Sequence, residues 1–448
     1  MNRPSRTPNA PLRAAERLDP FYDYVWSRGS YAQIRSRRKM VARVNAGLRR
    51  PPRWFTPTDE EVEAARLRLH TKRREQKLGV LAALDMWRSL TIQQAAAFLG
   101  MPELIESEAQ IIRDLYALDL VDVGSFEGFS DREVRTRDVG EWLIRPTRSA
   151  RYQELVAPYL TIPESVKVTG GMEFMTGGQY DRHNLLASEL ALRVAELTPA
   201  SMVIGEKWSS HAGLLYEGWG NPDPHPHVNG RGDLTIIRSD GLRIAVEMTA
   251  SLGRSFHAKV DRWAQRLSSG TLEAQGTVVL FVTAGEQHPV SHDKKELHSQ
   301  VRSAVLAAVR AHPGLSSSSR TAERVFVARW DELFPSRHHT SDGFHLLQAA
   351  SPVGTYRDGV DELWSPRRLL DLNDVVYRPA PGTDPLAIIS NSTALMGTPW
   401  WFRDGSAPQV AMDAVKQLWP KGLPGVRPED MAARGTAGQV TFPKRVLL

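Results

Sequence analysis

Apolar positions recur along the chain at two spacings, near 3.6 and near 2 residues, and the changes between them mark out segments. Tyr31, Ile34, Val41, Val44 and Leu48 fall near helical spacing, with Arg35, Arg37, Arg38, Lys39, Arg43, Arg49 and Arg50 on the other sides. This predicts a basic helix over residues 31–48, ended by Pro51-Pro52. Residues 78–146 read as three helices and a β-hairpin. A helix over 78–90 precedes one that opens on a Thr91 N-cap, buries Ile92, Ala95, Ala96 and Leu99, and stops at Gly100. A third covers 102–118 and buries Leu104, Ile105, Ile111, Ile112 and Leu115; strands follow at 120–123 and 142–144. That order predicts a winged helix-turn-helix. The third helix exposes Glu103, Glu106, Glu108 and Asp114 against Arg113, a charge that phosphates would repel. The module is therefore structural, binds protein, or meets DNA through its hairpin and the basic segment.

The middle of the chain reads as helix 182–197, strand 201–208, strands 233–238 and 242–249, helix 256–267, strand 276–282, helix 294–310 and strand 324–329. The strand over 276–282 runs Gly-Thr-Val-Val-Leu-Phe-Val, with five consecutive apolar residues, as a strand buried on both faces would be. Beyond residue 335 the pattern weakens. The expected fold class is a multidomain α/β (α+β) chain. It comprises a basic helical arm over 1–76, a winged helix-turn-helix over 77–150, a mixed-sheet core over 165–335 and an irregular C-terminal extension over 336–448 with no assigned role.

Charge sharpens this picture. Met1 to Lys77 holds 19 Lys/Arg against 8 Asp/Glu, a surplus of +11, so the remainder carries −5 within the chain's net +6. A basic arm on a mildly acidic body points to a polyanion partner, and DNA fits better than a membrane because the basic segment lacks a bulky apolar stripe. The chain has no cysteine, which excludes disulfides, thiolate metal sites and cysteine nucleophiles. No apolar run approaches ~20 residues and the first residues lack an apolar signal core, so a cytoplasmic protein without membrane contact is expected.

The strongest local signal is a hairpin. Asp233-Leu234-Thr235-Ile236-Ile237-Arg238 and Leu242-Arg243-Ile244-Ala245-Val246-Glu247-Met248-Thr249 flank the three-residue loop Ser239-Asp240-Gly241. With that loop Arg238 faces Leu242, and Asp233 faces Glu247. Leu234, Ile236, Ile244, Val246 and Met248 share a core-facing side; Asp233, Thr235, Arg243, Ala245, Glu247 and Thr249 share the other. Carboxylates opposed across a ladder lie ~5 Å apart and repel. Solvent, Arg or Lys, a shared proton or a divalent cation must offset this. Mg2+ accepts one or two carboxylates plus water and phosphate oxygens, which suits phosphodiester hydrolysis.

The order of helix, strand, hairpin with Asp and Glu-x-polar, helix and strand resembles the PD-(D/E)XK nuclease-like core. The longer string Arg231-Gly232-Asp233-Leu234 with Ile244-Ala245-Val246-Glu247-Met248-Thr249 is similar to the replication-relaxation family, over roughly residues 78–334. The resemblance implies a winged helix before a nuclease-like core, in a protein of a plasmid, phage or other mobile genetic element acting in DNA replication, transfer or processing. Replication or transfer proteins would then be further partners. It makes Asp233 and Glu247 ligands of Mg2+ or Mn2+, with Glu189 on the preceding helix as a third acidic residue. The motif's Lys is replaced by Thr249, a departure that Lys259 on the next helix would make good. Arg262 and Arg266 share the face of Lys259 and would track phosphates. Three functions stay open: a DNA-binding protein with a non-catalytic nuclease-like domain, a Mg2+-dependent endonuclease, and a structural or adaptor protein of a phage or conjugation assembly. His225-Pro226-His227 reads as a surface loop. The Gly170-Gly171 and Gly177-Gly178 pairs lack the context of a phosphate loop, and no Gly-x-Ser-x-Gly elbow is present.

Overall fold

A computed structural model describes residues 16–403 apart from 24, 28–29, 48–52, 107–108, 128–138, 178–179, 210–230, 254, 270–273, 275, 286–292, 315–319, 354–362, 373 and 375–384. Arg49, Arg50 and His225-Pro226-His227 lie outside the described residues. The described chain is a multidomain α+β protein of two compact units, one from residues up to 192 plus 395–400, the other from 193–394 plus 401–403. Among the described residues no helix is long and apolar enough to cross a membrane.

The first unit contains β1 (Tyr31–Arg35), α1 (Arg37–Asn45), α2 (Asp59–Thr71), α3 (Arg74–Trp87), β2 (Leu90–Thr91), α4 (Ile92–Leu99), α5 (Gln110–Ala117), β3 (Val121–Glu127), β4 (Leu143–Pro146), α6 (Arg151–Leu155) and α7 (Ile162–Thr169). It also holds most of α8 (Asp181–Leu197). Its antiparallel sheet runs β1-β3-β4-β2. The helix α4 starts and stops where its sequence says: Thr91 and Gln94 form a reciprocal capping box, and Gly100 ends it in the left-handed region. Three helices followed by β3 and β4 keep the element order of a winged helix.

Two elements differ from expectation. The basic helix does not begin at residue 31. Residues 31–35 form a strand on β3, and Ser36 then caps α1. Ala32 and Ile34 alternate onto a cluster containing Leu18, Val25, Phe126 and Leu143, a period-2 signal hidden inside a helix-compatible spacing. Gly124 lets Ile34 in, since a Cβ there would lie 2.7 Å from Ile34 Cδ1. The helix expected over 102–118 is split into a 3-10 turn, Pro102–Ile105, and α5.

The unpredicted α2 explains why α5 is not a surface helix. It opens on a Thr58–Glu61 capping box with Asp59, Glu60 and Glu61 in its first turn, where the helix dipole favours acids. Asp114 of α5, expected on the surface, is 1% exposed. Arg68 of α2 meets it at 2.7 Å, and the buried Lys77 of α3 at 3.1 Å. Lys77 Nζ also donates to the carbonyls of Arg68 and Lys72, both at 2.7 Å. Burial works to raise the Asp114 pKa, but hydrogen bonds from Arg68, Gln110 and Lys77 outweigh it and hold the carboxyl below its usual range.

The second unit contains the end of α8, then β5 (Met202–Gly205), β6 (Leu234–Ile237), β7 (Arg243–Thr249), α9 (Phe256–Ser268), β8 (Thr277–Thr283), α10 (Asp293–Ala311), β9 (Val325–Arg329) and α11 (Trp330–Leu333). After these come β10 (Gln348–Ser351), β11 (Ser365–Arg368) and α12 (Pro385–Thr393), while α13 (Trp400–Arg403) spans the change of unit. The seven-stranded sheet runs β11-β10-β9-β8-β7-β6-β5, with β7, β8 and β9 parallel and the other pairs antiparallel. So the sheet continues past residue 336, into the segment expected to be irregular. Its last strand reads Ser-Pro-Arg-Arg, which carries no alternation, and it sits at the edge, where a proline is tolerated.

The hairpin register is the expected one. Thr235 faces Ala245 and Ile237 faces Arg243, and the Arg238 amide donates to Leu242 at 2.9 Å around a loop whose Gly241 has φ 85°. What differs is the environment. Phe256, Val260, Trp263, Ala264 and Leu267 of α9 and Val301 and Val305 of α10 pack on Ala245, Val279, Phe281, Val325 and Val327. Every residue of β7 is therefore buried, so solvent is not what offsets the charge of Glu247. Arg324, wholly buried, ties the end of α9 to this sheet by donating to the carbonyls of Leu267 and Thr277.

Removing Asp114 would leave Lys77 buried without its carboxylate. Asp114→Ala is expected to destabilise the first unit by about 3–5 kcal/mol. Hydrogen exchange of the α5 amides in denaturant checks this; protection unchanged from wild type would contradict it.

Candidate functional site

The site is built at one end of the β6–β7 hairpin. The Asp233 amide donates to Val246 O at 2.8 Å, just past the last paired residues, Leu234 and Val246, and this holds Asp233 beside β7, where its charge acts on Glu247. Asp233 Oδ2 accepts from the Met248 amide at 2.7 Å, so its carboxylate is turned onto the β7 backbone. Gly232 fits closely here, since a Cβ would lie 3.0 Å from Val246 O.

Glu247 is 1% exposed. Its two oxygens meet α9: Oε2 accepts from Lys259 Nζ at 2.8 Å and Oε1 from Trp263 Nε1 at 2.7 Å. Lys259 and Trp263 are four residues apart, hence neighbours on the helix surface, and the apolar row of α9 fixes which way both point. Lys259 keeps 38% of its side chain exposed, so the constellation reaches solvent through it.

Burial and the adjacent Asp233 charge push the Glu247 pKa up to about 7, against the pull of Lys259 and Trp263. Burial works against the Lys259 ammonium, yet Glu247 and Asp233 outweigh it and hold its pKa above the usual lysine value. Near neutral pH a proton therefore moves on and off Glu247 while Lys259 stays charged.

The structure brings Asp233, Glu247 and Lys259 together, as the sequence argues. Thr249, where the nuclease motif has Lys, is buried at the end of β7, beside Thr283 of β8. Trp263 is the member that sequence reasoning assigns only to packing. Its i+4 spacing from Lys259 is the available signal. Glu189 instead belongs to the first unit, where Arg17 meets it at 3.1 Å and Gln94 at 3.3 Å. Reading residues 1–76 as a basic arm hides the buried role of Arg17. Among the described residues no three acidic, His or Cys side chains gather as a metal-binding group. The chemistry of Asp233 and Glu247 still fits Mg2+ or Mn2+: both offer hard oxygens, and their mutual repulsion is what a divalent cation relieves.

The candidate nucleic-acid residues separate by exposure. Arg38, Lys39 and Arg43 of α1 are exposed, and Arg37 is half-buried. Arg35 is tied down, donating to Ser125 Oγ at 2.8 Å and to Gln33 Oε1 at 2.6 Å, with its guanidinium 5.3 Å from the Phe55 ring centre. On α9 Arg262 is exposed and Arg266 half-buried. The helix α5 offers little to a groove, because Ile111, Ile112, Asp114, Leu115, Tyr116 and Ala117 are all buried.

No protein-family model, curated protein or solved structure matches the chain.

The raised Glu247 pKa fixes a pH dependence. Its folded pKa of about 7 lies above the ordinary 4.5, so the stability it contributes is full below about pH 4.5 and is lost as pH rises through 7. Glu247→Gln removes that loss. The variant is expected to match wild type at pH 4 and gain on it steadily up to pH 8 in urea midpoints. Parallel pH profiles would contradict the assignment.

Proposed function

We propose that this chain is a DNA-binding protein that holds phosphates through the basic residues of α1, and that its second unit carries a nuclease-like site at Asp233, Glu247 and Lys259. One observation carries the reading: the buried carboxylate of Glu247 lies beside a second carboxylate and bonds a partly exposed lysine at 2.8 Å. Purely structural ion pairs have little need for a second like charge, whereas a phosphodiester site uses both charges. The resemblance to the replication-relaxation family extends the proposal to replication, transfer or processing of a mobile genetic element.

Asp233 and Glu247 would hold Mg2+ or Mn2+, which when bound polarises a phosphodiester and acidifies water. The protein's own contribution is positioning. The Met248 amide orients Asp233, and Trp263 orients Glu247. Lys259 offsets one of the two charges, and its partly exposed side chain would let it also meet a phosphate oxygen. Arg262, three residues on, extends that positive face.

A second reading is favoured by a specific bonding pattern. Lys259 and Trp263 already satisfy both oxygens of Glu247, as in a structural ion pair, and the protein would then bind DNA without cutting it. Nicking of supercoiled plasmid with Mg2+ or Mn2+ decides between them. The nuclease reading expects nicking by wild type, reduced more than ~100-fold in Glu247→Gln and Asp233→Asn with gel-shift affinity kept. Binding without nicking in every variant would establish the second reading.

The DNA interface has its own test. Changing Arg38, Lys39 and Arg43 together to Glu is expected to weaken plasmid binding and flatten its salt dependence, by about 0.9 in log–log slope for each phosphate that the variant no longer neutralises. An unchanged slope would remove α1 from the interface.

A further inference from the structure

The apolar side chains left in water are not scattered. Among the described residues, Leu67 and Ile162 are each 74% exposed and Tyr159 is 62% exposed, three of the four most exposed large apolar side chains. All three belong to the first unit, and contacts tie them to one surface. The ring of His70, one turn after Leu67 on α2, lies 4.4 Å from the ring of Tyr159. Arg74, which opens α3, donates to the Tyr159 carbonyl at 3.0 Å and bonds Glu164 of α7. Ile162 is the first residue of α7. Capping boxes, Thr58 with Glu61 and Thr161 with Glu164, fix the starts of α2 and α7. A single exposed apolar residue is ordinary on a protein surface, whereas a group of large ones marks an interaction site. Rigid elements beneath it also lower the entropy that association must offset.

The charges around Leu67 say what such a surface accepts. Glu60, Glu63, Leu67 and Thr71 fall at i−7, i−4, i and i+4, on one stripe of α2. Asp59, Glu60 and Glu63 are exposed toward the start of that helix, and Lys72 and Arg73 are exposed just past its end. First-turn acids suit the helix dipole, but Glu63 lies beyond the first turn. Glu63 meets Arg66 of its own helix at 3.7 Å with both side chains more than half exposed, so that pair is screened and holds little. The face is apolar at its centre, acidic at one end and basic at the other.

That distribution is complementary to itself, which is the condition for a two-fold contact. A second copy of the stripe, turned antiparallel about an axis at Leu67, sets Leu67 on Leu67 and each acidic end on the other copy's basic end. A uniformly acidic or uniformly basic partner would instead meet one favourable end and one repulsive end. DNA is unsuited, because its phosphates would meet Glu60 and Glu63. We propose that this face joins two copies of the chain in a two-fold dimer, with antiparallel α2 helices meeting at Leu67 and with Tyr159 and Ile162 packed at the flanks. The dimer goes beyond the DNA-binding reading and uses neither α1 nor the Glu247 site.

Sedimentation of the full chain from ~1 to ~100 µM reads the association, a range suited to an interface of modest size. Wild type is expected to pass from monomer to dimer in that range and to stop there, since a two-fold contact closes. Leu67→Glu, at an exposed position near the axis, should weaken dimerisation at least ~30-fold and leave the urea midpoint of the dilute monomer unchanged. Charge exchange tests the complementarity without touching the apolar centre. Glu60→Lys with Glu63→Lys, and Lys72→Glu with Arg73→Glu, should each dimerise poorly alone and pair with one another when mixed. Wild type that stays monomeric at the top of the range would overturn the proposal and leave the face to a different protein. A dimer that Leu67→Glu leaves intact, growth past the dimer, or charge variants that fail to pair on mixing would overturn it as well.

Discussion

The burial of Glu247 is the constraint on which the second unit turns. A carboxylate placed in an interior strand of a sheet, under a helix, loses its water and lies beside the charge of Asp233. Three features offset that cost: the indole of Trp263, the ammonium of Lys259 and the uptake of a proton near neutral pH. Each depends on α9 lying where it does. The helix is in turn held by its apolar row against β7 and β8 and by Arg324 at its end. A structure that only needed a stable core would fill this position with an aliphatic residue, since a buried ion pair rarely stabilises more than a hydrophobic replacement. The cost is concentrated at one side chain, and three neighbouring groups are spent on offsetting it.

Much of the second unit is legible in the sequence because its signals are local. The hairpin register follows from a three-residue loop and alternation. The parallel strand β8 is visible as an unbroken apolar run between Thr277 and Thr283. What alternation cannot say is which faces are covered. The sequence only separates the Glu247 side from the Val246 side; two helices close over it, and their packing is what decides that burial. The sheet's extension through β10 and β11 is invisible for a related reason: short edge strands are held by pairing, not by a pattern of their own.

The first unit shows the converse error, in which a pattern is present and points to the wrong element. Residues 31–35 satisfy helical spacing and strand alternation alike, and the tertiary cluster around Phe126 and Leu143 selects the strand. Asp114 reads as a surface acid on a recognition helix. It is the hub of a buried network with Arg68 and Lys77, and α2 covers the face that a groove-reading helix would expose. Charge in that neighbourhood therefore says little about affinity for phosphates.

One consequence follows from the edge strand β11. Pro366 has no amide to offer, and Arg367 and Arg368 follow it, with Arg368 paired at 2.8 Å to the buried Asp371 and Arg367 at 3.4 Å to Asp374. A sheet whose rim lacks a donor and bristles with arginines is a poor template for a strand from another molecule. The seven-stranded sheet is thus guarded on that side against edge-to-edge aggregation, a safeguard most valuable while its slowly formed parallel strands are still assembling.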